Sequence, residues 1–253
     1  DLTPDFAATI LETLVNEDYN VKAVVTVPDR PAGRGRKLKP SAVKLCAEKM
    51  QLPLFQPEKL RDESFRASLK ELKPDIFIVV AFRMLPKSVW DIPVLGTFNL
   101  HASLLPDYRG AAPINHAIIN GETKTGVTTF LIDEQIDTGS ILLKEEVLIE
   151  SNDTAGILHD KLMHVGAGLV TETVDRLVKG DIVPQPQIQE ADKPLKPAPK
   201  INREFCRIDW NSDSKSIYNL IRGLSPYPGA FTTVRTSKDA LQLKFVEVEW
   251  HQD

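Results

Sequence analysis

Short runs of apolar residues alternate along residues 1–180 with segments in which apolar positions recur every three or four residues. The runs at 21–27 and 75–81 are nearly continuous and rich in β-branched residues, as in strands buried on both faces of a parallel sheet. Segments 40–50 and 62–73 have helical spacing instead. This alternation predicts an α/β fold with a doubly wound, mostly parallel sheet, in which ligands bind beyond the carboxyl ends of the strands.

A helix is predicted at each end of this region. Thr3 is suitable as an N-cap and Pro4 as a first helical residue, and the apolar residues that follow share one helical face. A second periodic segment starts at Thr154 and predicts one long helix with Gly180 as its C-terminal cap. Further strands are predicted at 96–101, 126–132 and 140–149.

The pattern changes after this long helix. Residues 181–201 contain five prolines and no periodicity, which is typical of an extended linker. A helical stretch and strand-like runs then follow. We therefore expect a main domain at 1–180, a linker at 181–200 and the start of a smaller domain at 201–253.

Composition restricts the function classes. The sequence shows no span long and apolar enough for a bilayer and no secretory signal, so we expect a cytoplasmic protein, in a bacterial cytosol or an organelle matrix. The two cysteines are too few for a disulfide framework. A net charge of −4 argues against a protein that coats nucleic acid, but residues 29–44 hold six cations and one carboxylate.

Three polar residues form a candidate catalytic group. Asn99 and His101 lie two positions apart at the end of a predicted strand, so they point to the same side, and Asp137 lies in a loop between two strands. An amide donor, an imidazole and a carboxylate can stabilise an oxyanion and move a proton during attack on a carbonyl carbon. A purely structural histidine is the alternative. The sequence has neither the spacing of a metal site nor a phosphate-binding glycine loop, and we expect no metal.

Four segments carry a resemblance to a known family: TPDFA at 3–7, and the stretches at 28–44, 98–118 and 133–142. Together they resemble the folate-dependent formyltransferases, and within them the methionyl-tRNA branch, over nearly the whole chain. The resemblance implies the formyltransferase fold, a linker and a C-terminal β-barrel of the oligonucleotide-binding kind, which is incomplete in this sequence. It also implies a further central strand before the segment at 3–7.

The resemblance also implies roles for individual residues. Asn99, His101 and Asp137 match the family's catalytic triad, with Asn99 and His101 donating to the oxygen of the tetrahedral intermediate. Asp137 would orient His101, or a water that carries the proton of the attacking amine. Cofactor-binding residues are expected in the segment after His101 and in the loop after the strand at 75–81, namely Ser103, Leu104, Leu105, Pro106, Phe82, Met84 and Leu85. For the aliphatic residues among them, simple core packing is an equal alternative.

The basic segment distinguishes among members of this family. It resembles an insertion of the tRNA-specific enzymes, and by that resemblance tRNA contacts are expected from Arg34, Arg36, Lys37 and Lys39. The implied reaction passes the formyl group of 10-formyltetrahydrofolate to the α-amine of methionyl initiator tRNA and supports translation initiation. The expected partners are this tRNA and the folate, with no membrane, and we expect a monomer. A formyltransferase acting on a sugar nucleotide or another small amine, and an RNA-binding module without activity, remain the alternatives.

Overall fold

The computed structural model describes residues 3–32, 37–188, 194–235 and 239–249. The helices of these ranges are α1 Thr3–Asn16, α2 Ala42–Lys49, α3 Glu63–Glu71, α4 Lys87–Trp90, α5 Pro113–Ile119, α6 Ala155–Lys179 and α7 Ser214–Gly223. The strands are β1 Val24–Val25, β2 Arg30–Ala32, β3 Lys37–Lys39, β4 Leu54–Phe55, β5 Phe77–Val80, β6 Thr97–His101, β7 Arg109–Gly110, β8 Lys124–Leu131, β9 Ile141–Leu148, β10 Pro197–Ala198, β11 Ala230–Arg235 and β12 Ala240–Phe245.

The long helix α6 has the ends that its sequence predicts. The Thr154 side chain caps its N-terminus by accepting a hydrogen bond from the backbone N–H of Ile157. Gly180 ends the helix in the left-handed conformation, with φ at 71°, which a residue with a side chain adopts less readily. The prediction for α6 is confirmed at both ends.

The main sheet has four strands in the order β5-β6-β8-β9. Only β5 and β6 are parallel, whereas β6 pairs with β8, and β8 with β9, in the antiparallel sense. The strands β1 and β4 form a separate parallel pair. A mostly parallel sheet is therefore wrong for these four strands, because only one of their three pairs is parallel. The loop that joins β8 to β9 is a hairpin loop, which requires the antiparallel sense for that pair.

The main core lies on one face of this sheet. Phe98 and Leu100 of β6 pack there against α1, α5 and α6, and Phe98 is fully buried. Residues 99 and 101 alternate with them and therefore face the opposite side of the sheet. A small second cluster of Leu105, Phe130 and Ile141 lies apart from this core.

The strand β5 is less buried than its apolar sequence predicts. Its four residues are half-buried, although strands of this composition are commonly covered on both faces. Within the described part of the chain β5 pairs with β6 alone, so its other edge lacks a neighbouring strand. That open edge accounts for the remaining exposure.

The proline-rich segment is not a free linker. Gln185 forms a two-way backbone bridge with Ile141, in which each N–H donates to the other carbonyl at 2.7 and 2.8 Å. Farther on, β10 pairs in parallel with β7. The segment is extended, as expected, but it is held against the main domain at both of these places.

The C-terminal part packs on the main domain through α7. Buried Arg222 donates to the backbone oxygen of Asp153 at 3.0 Å, and Asn115 of α5 donates to the backbone oxygen of Gly223 at 2.7 Å. The strands β11 and β12 pair in the antiparallel sense. The expected barrel is not confirmed, since two paired strands are the only sheet of the described C-terminal residues and do not close.

Candidate active site

The strand β6 places Asn99 and His101 on the face opposite the main core. Cross-strand partners on β8 are Phe130 for Asn99 and Thr128 for His101, and both partners are buried. His101 itself is 7% exposed. The alternation of side chains along a strand is the reason that these two polar groups lie next to each other.

The imidazole of His101 is held in one orientation. Its Nε2 atom lies 2.8 Å from the backbone oxygen of Tyr108. A carbonyl oxygen can only accept, so Nε2 carries a proton and donates it. The other nitrogen, Nδ1, is therefore the one available to accept or donate a proton in the site.

Tyr108 presents this carbonyl from a strained turn. Its φ is 61°, in the left-handed region that residues with side chains adopt less often. The phenol is buried and donates to Glu122 at 2.5 Å, while Asn120 donates to the phenol oxygen at 3.2 Å. Burial and the hydrogen bond to Glu122 raise the pKa of Tyr108 well above its ordinary value. The side chain thus anchors the turn as a neutral group.

The loop that carries Asp137 approaches His101 from a direction that a parallel sheet does not predict. Since β8 runs antiparallel to β6, its last residue, Leu131, pairs with Phe98 rather than with the end of β6. The loop 132–140 then turns back along the sheet and brings Asp137 Oδ2 to 3.9 Å from His101 Nδ1. That distance is too long for a hydrogen bond but short enough for strong attraction once the imidazole is protonated.

The carboxylate is also held by backbone. The N–H of Gly110 donates to Asp137 Oδ2 at 3.0 Å. Asp137 has a φ of 56°, so its backbone adopts the left-handed conformation, and its side chain is 11% exposed. Unfavoured backbone of this kind, beside a buried polar contact, is typical of sites where geometry serves a ligand or a reaction.

Two glycines let the loops approach closely. A Cβ on Gly110, where φ is 124°, would lie 2.4 Å from the backbone oxygen of Ala198 in β10. A Cβ on Gly139 would lie 1.7 Å from the backbone oxygen of Leu131. Neither position can hold a side chain without moving the turn beside His101 or the loop that carries Asp137.

Asn99 completes the group. Its Oδ1 atom is buried and has no hydrogen-bond partner among the described residues. Buried amides are nearly always bonded, and an exception commonly marks a ligand site. The structure therefore brings the three predicted catalytic residues together and leaves Oδ1 of Asn99 free to accept a hydrogen bond from a ligand.

The segment after His101 divides between core and surface. Ser103 is fully buried and donates to the backbone oxygen of Asp107 at 2.7 Å. Leu105 is fully buried in the small cluster, whereas Leu104 and Pro106 are half-buried. The side chains of Ser103 and Leu105 thus stabilise the fold, so these residues could contact a folate only through their backbone atoms.

The loop after β5 lies beside this segment, since β5 and β6 are parallel and end at the same edge. Met84 is 67% exposed, whereas Phe82 and Leu85 are half-buried and pack against a core cluster. Arg83 donates to the backbone oxygens of Pro57 and Glu58 at 2.5 and 3.0 Å. The expected folate residues of this loop are therefore close to the site edge, and Met84 is the most accessible.

Sequence reasoning missed two polar residues near the site. Lys144 of β9 donates from Nζ to the backbone oxygen of Leu105, and burial lowers the pKa of its ammonium group. Gln187, in the proline-rich segment, donates to backbone oxygens of the Asp137 loop. The sequence did contain a signal for Lys144, because a lysine directly follows three apolar residues at the start of β9. Gln187 gave none, because its partners lie about fifty positions away along the chain.

The basic segment forms a hairpin whose base is anchored. Strands β2 and β3 pair in the antiparallel sense, and Lys37 and Lys39 belong to β3. Lys39 is exposed. Lys44 pairs with Asp29 at 2.7 Å, so the one carboxylate of the segment is neutralised at its base. Arg34 and Arg36 lie outside the described residues.

Within the described ranges, no group of three or more His, Cys, Asp or Glu residues could hold a metal ion. In those same ranges, no helix has the length and apolar character that crossing a membrane requires.

Comparisons with known proteins agree with the geometry. The formyl transferase family matches residues 2–174, and the family of formyl transferase C-terminal domains matches residues 200–253. Methionyl-tRNA formyltransferase of Bacteroides fragilis is 54% identical over 250 residues, which is 98% of this chain and 77% of that protein. The enzyme of the same name from Flavobacterium johnsoniae is 53% identical over 247 residues, with shares of 98% and 78%.

A solved structure supports the fold. The N-formyltransferase from Helicobacter canadensis, in complex with folinic acid and dTDP-3-aminofucose, matches with a TM-score of 0.65 at 24% identity. The match covers 87% of this chain and 77% of that one. The resemblance carried by the sequence motifs is thereby confirmed. The chain belongs to the formyl transferase family, and within it to the methionyl-tRNA formyltransferases.

Proposed function

We propose that this protein transfers the formyl group of 10-formyltetrahydrofolate to the α-amine of methionyl initiator tRNA and so supports translation initiation. The observation that carries the proposal is the convergence of Asn99, His101 and Asp137 on one face of β6. The names of the similar proteins support the acceptor, and the folinic acid bound to the structural neighbour supports a folate-derived donor.

The reaction defines what the site must do. The amine nitrogen attacks the formyl carbon, a C–N bond forms, and the carbonyl electron pair moves to the oxygen. The bond from this carbon to folate N10 then breaks, N10 takes up a proton, and the amine gives one up. The site must therefore stabilise a negative oxygen and accept a proton from the amine.

Asn99 and His101 are suited to stabilising the oxygen. The Nδ2 group of Asn99 can donate to the formyl oxygen, and its buried Oδ1 atom, which has no partner among the described residues, can accept a hydrogen bond from the attacking amine. His101 already donates from Nε2 to Tyr108, so it can donate to an oxyanion only from Nδ1, as the doubly protonated imidazolium. Asp137, at 3.9 Å, balances the charge of that cation.

Asp137 is also suited to accepting the proton that the attacking amine loses. Each of its two carboxylate oxygens can accept more than one hydrogen bond. Oδ2 is the oxygen that faces Gly110 and His101. The amine proton passes to this carboxylate, directly or through a water, and from there to N10. This division places the donors on β6 and the acceptor on the loop 132–140.

The remaining predicted residues surround this centre in our proposal. The segment from Ser103 to Pro106, with Phe82, Met84 and Leu85, borders the folate, and Arg34, Arg36, Lys37 and Lys39 attract the acceptor end of the tRNA. Clustered cations supply a salt-sensitive attraction for phosphates. The same proposal divides the chain into a catalytic domain at 1–180, a connecting segment at 181–200 and a C-terminal domain from 201.

The test is transfer of labelled formyl from 10-formyltetrahydrofolate to methionyl initiator tRNA by the full-length protein. We expect labelled formylmethionyl-tRNA, and no labelled product from an amino-sugar nucleotide offered at the same concentration. Transfer to the amino sugar alone would show a small-molecule formyltransferase. Binding of the tRNA without transfer to either acceptor would show an RNA-binding module.

A further inference from the structure

The part of the loop 132–140 around Asp137 is held by groups outside the loop. The loop leaves β8 at Leu131, which pairs with Phe98, three residues before His101 on β6, and must turn back to reach the site. Within the loop, Asp133 accepts hydrogen bonds from Thr138 and from the N–H of Gln135. Those bonds shape the loop internally, and the N–H of Ile132 ties its first residue to β6 by donating to the backbone oxygen of Thr97 at 2.9 Å. Neither set of bonds holds the backbone of Asp137.

Gln187 supplies a tie through its side-chain amide. Its Nε2 donates to the backbone oxygens of Asp137 at 2.9 Å and Gly139 at 2.8 Å. Its Oε1 accepts from Nε and Nη2 of Arg109 at 3.2 and 2.6 Å. Both amide protons and both lone pairs are thus used, which leaves this side chain with a single suitable orientation.

These bonds close a ring around the carboxylate. Arg109 precedes Gly110, whose N–H donates to Asp137 Oδ2. Gln187 links the guanidinium of Arg109 back to the Asp137 backbone. One side of Asp137 is therefore held by β7 and the other by Gln187, which is itself linked to β7.

The backbone around Gln187 is held as well. Gln185 bridges Ile141, the first residue of β9, and β10 pairs with β7 on the far side. The backbone that carries Gln187 is therefore hydrogen-bonded to the main domain on both sides of this residue. The side chain of Gln185 differs, since it is exposed and its one partner among the described residues is the backbone oxygen of Val183 in its own segment, at 3.1 Å.

We infer that Gln187 is a positioning residue for formyl transfer, which holds the backbone of Asp137 so that its carboxylate faces His101. The inference rests on the proposed function and assigns a catalytic consequence to a segment outside the main domain. Gln187 acts through Asp137 and does not touch the reacting atoms. Loss of its amide leaves two carbonyls and a guanidinium without these partners, so that the Gly110 N–H alone of this ring still holds Asp137.

The test compares Gln187→Leu with Gln185→Leu, a matched change two residues away. A displacement of about 1 Å in a catalytic group can lower a rate by roughly a hundredfold, so we expect Gln187→Leu to reduce kcat by about tenfold to a hundredfold. The KM values for tRNA and for the folate should stay within about threefold, because no binding contact is removed. Gln185→Leu should leave both parameters unchanged.

The same change in an Asp137→Asn background separates positioning from general loss of structure. If Gln187 acts through Asp137, Gln187→Leu should cause little further loss of kcat once the carboxylate is gone. An equal fold-loss in both backgrounds, or a wild-type kcat for Gln187→Leu, would overturn the inference. Should Gln187→Leu fail to fold, Gln187→Glu replaces it, because it keeps the acceptor for Arg109 and removes the donors to the loop.

Failure of the proposed function would look different. In that case the wild-type protein itself would form no formylmethionyl-tRNA, and the variants could not be ranked. Activity in the wild type, a large loss in Asp137→Asn and no difference between Gln187→Leu and Gln185→Leu would overturn the inference alone.

Discussion

His101 Nε2 donates a hydrogen bond to the backbone oxygen of Tyr108 over 2.8 Å. This bond determines the tautomer, because the carbonyl can only accept, and it leaves Nδ1 as the reactive nitrogen that faces Asp137. The two ring nitrogens therefore have different roles: Nε2 holds the ring in place, and Nδ1 takes part in the reaction. Substitutions that mimic one nitrogen or the other should differ in activity.

Replacement of His101 tests this assignment. His101→Ala should lower kcat by at least roughly a hundredfold, as is typical for loss of one oxyanion donor, with little change in the KM for tRNA. His101→Asn, which places an amide near the Nδ1 position, should retain more activity than His101→Gln, which imitates Nε2. Steady-state kinetics of the three variants measures both effects, with exposed His164→Ala as the control. Higher activity in His101→Gln would contradict the assignment of Nδ1.

Removal of the charge of Asp137 should impair the chemical step. Asp137→Asn keeps the acceptor for the Gly110 N–H but cannot take up the amine proton or balance the imidazolium, so kcat should fall by about a hundredfold or more. Single-turnover formyl transfer measures the step directly. Glu134→Gln, an exposed change in the same loop, is the control and should leave the rate constant unaltered. Equal rate constants for Asp137→Asn and Glu134→Gln would show that Asp137 has no role in the chemical step.

Arg34 should affect recognition of the tRNA rather than catalysis. Arg34→Ala should raise the KM for tRNA with little change in kcat, and should reduce the slope of log kcat/KM against log salt concentration by about one, as for one lost phosphate contact. Measurement at several salt concentrations gives the slope. Arg61→Ala, an exposed cation outside the hairpin, should keep the wild-type slope. An unchanged slope for Arg34→Ala would exclude that contact.

Arg222 should stabilise the packing of the C-terminal part. Its guanidinium is bonded to Asn219 at 2.9 Å and to the backbone oxygen of Asp153 at 3.0 Å. Arg222→Met should therefore lower the free energy of unfolding by about 2 kcal/mol, because it leaves buried acceptors unpaired. Urea denaturation measures the change. Arg176→Met, which breaks only an exposed helical pair, should cost below about 0.5 kcal/mol. Similar losses for both variants would contradict the role of Arg222.

Tyr19 should make one contribution to stability dependent on alkaline pH. Burial and the hydrogen bond to Asp175 raise the pKa of Tyr19 from 10.0 to about 12. A raised pKa in the folded state means that this contribution is complete below the unfolded value of 10 and is lost as the pH rises through 12. The difference in unfolding free energy between wild type and Tyr19→Phe should therefore shrink between these two values. A difference that stays constant across this range would contradict the assignment.

Much of the local structure could be predicted from the pattern of residues. The capping residues of α6 act at the positions where the chain suggested them, since caps depend on side chains within a few residues of the helix end. The alternation along β6 likewise predicted that Asn99 and His101 share a face. The direction of β8 could not be predicted, because parallel and antiparallel strands have the same local pattern when they are buried.

The sequence by itself determined the type of chemistry, since Asn99 and His101 lie two positions apart on a strand and the surrounding motifs identify the family. Tertiary structure alone decided how Asp137 reaches them. An antiparallel β8 directs the loop away from the end of β6, and bonds from Gly110 and Gln187 hold the turn that brings it back. The physical reason is the range of each interaction: strand alternation acts between neighbouring residues, whereas Gln187 and Asp137 meet across fifty positions that only the folded chain brings together.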